Sequence, residues 1–112
     1  MLNDLAALDR AFSALADPVR RGMLARLSLG PASVSELAGP LPISLPAVMQ
    51  HLKLLEASGL VASRKKGRVR TVHLERDALG QAERWLARRR EELEAQLDRF
   101  ENYLETLQDG EK

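Results

Sequence analysis

Cysteine is missing altogether and aromatic residues are scarce: one Trp, one Tyr and two Phe in 112 residues. Without cysteine there is no disulfide, no thiolate nucleophile and no cysteine metal cage. No run approaches the ~20 apolar residues that a bilayer-spanning helix needs. The opening MLNDLAALDRAF is acidic and interrupted by polar residues, unlike a secretory leader. These absences lead to the expectation of a cytoplasmic protein that does not engage a membrane. Catalytic constellations are missing too: the chain has no glycine-rich phosphate loop and only His51 and His73 as imidazoles. Ser44, His51 and Glu56 fall on one expected helix, but their offsets place them apart. No enzymatic activity is expected, and no cofactor.

What is present is a globular composition, 45% hydrophobic and 29% charged, long enough for a single modest core over residues 1–112. The formal net charge of +1 hides a division. Residues 1–76 carry eleven Lys/Arg against six Asp/Glu, whereas residues 77–112 carry six against ten. A basic body faces a polyanion, and an acidic tail that would repel one is expected to lie away from it.

Leu5, Leu8, Phe12 and Leu15 recur at helical spacing after Asn3 or Asp4 as N-cap, predicting a helix over residues 1–16. Asp17-Pro18 starts a second helix, with Asp17 as cap and proline at the first helical position. Val19, Met23, Leu24 and Leu27 give its buried stripe, and Gly30-Pro31 closes it. Ser33 and Glu36 have the spacing of a capping box for a short third helix. Ser44 caps a fourth, whose apolar face is Val48, Leu52 and Leu55, reinforced by Met49 or Leu54, with Gly59 beyond its end. A short helix, a Gly/Pro turn and a longer helix over residues 33–58 form a helix-turn-helix pattern.

Residues 60–74 then predict two strands, Leu60–Lys65 and Arg68–Leu74, turning at Lys66-Gly67. Leu60, Ala62, Val72 and Leu74 are expected on the inner face. From Arg64 to Arg70 the segment holds five Lys/Arg and no carboxylate. From Asp77 a long helix is expected through about residue 108. Its apolar residues Leu93, Leu97, Phe100, Leu104 and Leu107 step by 4, 3, 4 and 3, a heptad seam. Such a helix outreaches one small domain, and a second copy of the chain is the simplest cover for its seam.

The predicted fold class is therefore mainly α with a small β-hairpin, an α+β arrangement in the order of a winged helix-turn-helix. The order has a physical logic. The major groove of B-DNA admits one helix that reads base edges, and neighbouring cations fix its register through phosphates. ALADPVRRGMLARL, VSELA, ISLPAVMQHLKLLEASGLV and KKGRVRTVHL resemble the ArsR-type bacterial transcription regulators, from about Ala11 to Trp85. The resemblance implies a homodimer through the N- and C-terminal helices, with Leu5, Leu8, Phe12, Leu86, Leu93, Leu97, Phe100 and Leu104 at the interface. It also implies double-stranded DNA as partner, through a pseudo-palindromic operator, with repression released by a protein or small-molecule effector.

On this resemblance, Ser44, Pro46, Ala47, Gln50 and His51 occupy the recognition helix, and Lys53 reaches the DNA backbone. Gln50 is the expected base reader, since its amide pairs with adenine N6/N7. Arg64, Lys65, Lys66, Arg68 and Arg70 are the wing contacts. Where the family often has Ser, this chain has Met49, which either packs inward or touches a thymine methyl. The cysteine pair and C-terminal-helix histidines that sense metals in many relatives are missing, so no metal site of either type is expected.

Duller readings stand beside these. Arg20 and Arg21 are expected to be structural and not DNA contacts, either simply solvated or with one of them pairing with Asp17. His51 either meets DNA or is an ordinary helix-surface residue; His73 is expected to be structural. Trp85 is expected to complete a core or dimer seam. Arg88–Glu91, Arg88–Glu92 and Arg90–Glu94 pairs would account for the arginine run. A different class of function is a winged-helix interaction module that recruits a partner protein and binds DNA weakly. Its motivation is the acidic last helix.

Overall fold

The computed structural model describes the backbone of residues 2–110 and the side chains of residues 5–110. Five helices and three strands follow in the order α1 (Leu2–Leu15), α2 (Pro18–Leu27), β1 (Ala32–Ser33), α3 (Val34–Ala38), α4 (Leu45–Ala57), β2 (Val61–Lys66), β3 (Val69–Leu74) and α5 (Arg76–Gly110). The first helix is already under way at Leu2, so neither Asn3 nor Asp4 is its N-cap. The chain divides into two compact units, Met1–Ala82 and Glu83–Lys112.

Local chemistry sets the helix ends in the first unit. The Arg20 backbone N–H donates to Asp17 Oδ2 at 3.0 Å, capping α2 with Pro18 at its first position. Ser33 and Glu36 close the capping box reciprocally, at 3.0 Å and 3.4 Å. Ser44 Oγ accepts from the Ala47 N–H at the start of α4. Its other end is a Schellman motif: Leu60 N–H donates to Leu55 O and Gly59 N–H to Glu56 O, with Gly59 at φ 77°.

Val48, Leu52 and Leu55 of α4 bury against Met23, Leu24 and Leu27 of α2 and against Leu37 of α3 in one core. Helix α1 enters that core chiefly through the buried Ala11 and Ala14, with half-buried Leu15 packed against it. Small side chains three apart let its backbone approach closely, leaving Leu5 exposed and Leu8 and Phe12 half-buried on another stripe.

The sheet has three antiparallel strands in the order β1-β3-β2. The expected hairpin is thus joined by a two-residue strand, Ala32 pairing with Val72 and Ser33 with Thr71. The register also corrects the expected faces. Val61 pairs with Leu74 and Ser63 with Val72, while Ala62 pairs with His73. Val61, not Ala62, therefore shares the inner face with Val72 and Leu74. Leu60 is buried because it completes the cap of α4, so counting alternate residues from it gave the wrong parity. The turn is Gly67-Arg68, between the paired Lys66 and Val69, one residue later than expected. Gly67 has φ 64° and Arg68 does not have positive φ, the pattern of a type II′ turn.

Within the second unit, α5 continues to Gly110, the last residue described. Leu86, Leu93, Leu97, Phe100, Leu104 and Leu107 are exposed along it, with Tyr103 beside them. Arg89 is the arginine that pairs here, its Nη2 lying 3.0 Å from Glu92 and its guanidinium 5.2 Å from the centroid of the Trp85 ring. The pairs expected for Arg88 and Arg90 are not formed among the described residues. Among these residues, no helix is long and apolar enough to cross a membrane.

Candidate nucleic-acid interface

The buried stripe of α4 defines its outward direction. With about 100° between successive residues, the pole opposite Val48, Leu52 and Leu55 carries Pro46, Gln50 and Lys53. All three are exposed, as is Ser44 at the helix start. On the flank toward the sheet lie Leu45, Met49 and Glu56. On the other flank lie Ala47, His51 and Leu54, of which Ala47 and His51 are half-buried.

His51 sits among charged groups of the body. Its Nδ1 is 3.2 Å from Arg20 Nη1 and 3.9 Å from Asp17 Oδ2. A guanidinium only donates, so in this arrangement Nδ1 is the acceptor from Arg20. Arg20 Nε donates to Ala14 O at 2.8 Å and its Nη2 to Ser13 O at 3.3 Å, closing the end of α1. Arg21 likewise donates to Leu15 O. Both guanidiniums bond the body's own backbone, and Asp17 is met by the Arg20 backbone N–H and not by its side chain. The Asp17 carboxyl is held below its ordinary value of 3.8, chiefly by the hydrogen bond from the Arg20 backbone, with the Arg20 charge assisting against partial burial.

The hairpin cations fall into two sets once the register is known. Lys65 pairs with Arg70 on the face shared with Ser63 and Val72, which turns toward α4. Arg64 and Lys66 belong to the opposite face, and Arg68 occupies the turn. Arg70 Nη1 donates to Ser63 Oγ at 2.8 Å, and the Ser63 hydroxyl donates to Glu56 Oε1 on α4. Glu56 is thereby engaged by the hairpin through the Ser63 hydroxyl.

Between α4 and the sheet lies an open cleft of about 480 Å³ lined by Pro46, Met49, Gln50, Lys53, Glu56 and Arg70, among others. A second hollow of about 380 Å³ adjoins it, where Leu45 and Met49 meet Lys65, Arg68, Val69 and Arg70. The structure thus gathers Gln50, Lys53, Lys65, Arg68 and Arg70 along one surface. Ser44, Pro46 and Ala47 stand at the α4 end of it, His51 is turned aside, and Arg64 and Lys66 occupy the far face of the hairpin.

A profile of the helix-turn-helix domain matches residues 15–64. A solved ArsR family transcriptional regulator, RHA00566, is 48% identical and superimposes with a TM-score of 0.75, covering 80% of this chain and 92% of that one. The chain belongs to the ArsR family of transcriptional regulators. That family consists of regulators and not of enzymes. The HTH-type transcriptional regulator Rv2034 of Mycobacterium tuberculosis is 51% identical over 67 residues, 60% of this chain. This ArsR-family chain spans 63% of that relative's length. The homodimeric winged helix-turn-helix DNA-binding domain of Mb0332 from Mycobacterium bovis is 25% identical, with a TM-score of 0.61 and 83% of each chain covered.

In this ArsR member His73 is paired, its Nε2 lying 3.0 Å from Glu75 Oε1. Among the described residues, no three His, Cys, Asp or Glu side chains gather as metal ligands would. The Arg70–Ser63–Glu56 link and the exposed Leu45 were missed by sequence reasoning. Correct strand parity would have found the first, because Ser63 and Arg70 are diagonal neighbours on one face.

Proposed function

We propose that this protein is a sequence-specific, DNA-binding transcriptional repressor that acts as a homodimer on a pseudo-palindromic operator. The observation that carries the reading is the continuity of the α4 pole with the hairpin cations. Gln50 presents an amide of the kind that reads adenine, beside Lys53, Arg68 and Arg70 placed for phosphates. Glu56, the carboxylate in the cleft, is tied to Ser63 within hydrogen-bond reach of the Arg70 network.

Two copies would join through the apolar face of α1 and, separately, the heptad seam of α5. Their α4 helices would then enter successive major grooves ~34–36 Å apart. The chain has no cysteine and no histidine on its last helix, so a metal site of either family type is not proposed, and the effector proposed is a protein or a small molecule. The acidic α5 arm favours a partner protein as that effector. It also keeps the interaction-module reading in play, under which the chain would form a hetero-complex and give no salt-sensitive DNA shift.

Selecting duplexes from a random pool with purified protein tests the proposal. Gln50→Ala should relax preference at one base pair per half-site, costing about 1–3 kcal/mol on the selected duplex and little on random DNA. Arg68→Ala should weaken all sequences alike and lower the slope of log K against log salt by about one. Equal losses on selected and random DNA for Gln50→Ala would contradict its assignment.

A further inference from the structure

Met49 is a large apolar side chain that the fold does not use. The core face of α4 is complete with Val48, Leu52 and Leu55, all under 5% exposed, whereas Met49 is 42% and Leu45 58% exposed. Scattered exposed apolar residues are ordinary. These two are not scattered: four apart on α4, they share one face of the helix. They form the helix wall of the hollow whose opposite wall carries Lys65, Arg68 and Arg70. Met49 also borders the cleft that holds Gln50 and Lys53. An apolar ridge therefore runs between the adenine-reading amide and the cations, at the N-terminal end of the helix that would enter the groove.

We infer that Met49 and Leu45 read the C5-methyl groups of thymines, so that each operator half-site places thymine beside the adenine that Gln50 reads. This inference rests on the DNA-binding reading above. The occupant follows from the surroundings. Three cations beside the hollow select a polyanion, and the apolar feature that the major groove of B-DNA offers is the thymine methyl. Cytosine lacks that methyl, so an apolar wall separates T·A from C·G where a serine hydroxyl would tolerate both. Methionine suits the task because its unbranched thioether adapts to a methyl of varying position.

Deoxyuridine supplies the test, since it pairs as thymine does and lacks only the methyl. A duplex selected by the full chain is resynthesised with each thymine replaced singly by deoxyuridine, and binding is followed by fluorescence anisotropy across several salt concentrations. At one or two positions per half-site, loss of the methyl should weaken wild-type binding roughly fourfold, the worth of one buried methyl group, and about sixteenfold when made in both half-sites. Met49→Ala should bind the thymine and deoxyuridine duplexes nearly alike, because the two changes remove one contact. Wild-type binding that stays salt-dependent but indifferent to every substitution overturns this inference alone. So does a selected half-site without thymine beside adenine, or a methyl effect that persists in both Met49→Ala and Leu45→Ala. Absence of salt-dependent binding overturns the DNA-binding reading as well.

Discussion

Arg20 directs its guanidinium at the protein's own backbone, at Ala14 O and Ser13 O, and at His51, while its N–H is capped by Asp17. Such a residue matters for stability before it matters for any ligand. Arg20→Ala should lower stability by about 1–3 kcal/mol, the range for charge-assisted hydrogen bonds lost from partly buried sites, as read by urea denaturation. An unchanged midpoint would show the network to be idle. Asp17 gives the same cluster a pH signature. Its folded-state pKa is lowered, so its stabilisation is present above the ordinary carboxylate range and is lost as pH falls through that lowered value. Asp17→Asn keeps an oxygen cap without the charge. The Tm gap between wild type and Asp17→Asn should therefore be open at about pH 6 and narrow as pH falls below 3.8. A gap constant across that range would assign the cap no ionic part. At this scale the caps were legible in the sequence, because Asp17, Ser33 and Ser44 act within three residues. The turning aside of His51 was not, since Arg20 is 31 residues away and comes alongside only when α2 packs on α4.

At the scale of elements, α4 shows how a cap can mislead about the strand that follows. Gly59 at positive φ lets Leu60 double back onto Leu55, which buries Leu60 by the helix cap and not by the sheet. A one-residue slip in a strand exchanges its two faces. That slip separates the expected inner face of Ala62 with Val72 from the observed pairing of Ser63 with Val72 and of Lys65 with Arg70. The strand β1 was invisible for another reason: two residues carry no alternation, and Ala32 gains strand geometry only from β3. The α1 contact was hidden because Ala11 and Ala14 weigh little in a hydrophobic pattern, although they are its buried residues. Gly59→Ala should cost about 1 kcal/mol from the left-handed backbone, with Gly59→Asn recovering part of it. The nearest atom to an added Cβ is Ala78 Cβ at 3.6 Å, an ordinary contact, so packing adds no further penalty. Alanine and asparagine that destabilise equally would show that φ is not the cause.

At the scale of the molecule, the body is basic and the distal helix acidic. That helix exposes Leu93, Leu97, Phe100 and Leu104 in a seam. Its 35 residues correspond to about 52 Å of helix. A water-exposed seam of this length calls for a partner, and a heptad seam pairs readily with another of its kind. Leu97→Glu with Phe100→Glu should shift the protein from dimer to monomer in sedimentation equilibrium while the far-ultraviolet signal of the body persists. A mass unaffected by the two charges would remove the seam from the interface. The seam was legible because heptad spacing is local; which residues of α1 stay outside the core was legible only in part.

We propose that paired α4 helices, each flanked by its hairpin, read one face of a duplex. Methylation protection on a selected operator tests it most directly, because it reports guanine and adenine accessibility groove by groove. Two protected major-groove patches on the same side of the DNA, separated by about one helical turn, are the predicted result. A single patch, or two patches on opposite sides of the duplex, would contradict it.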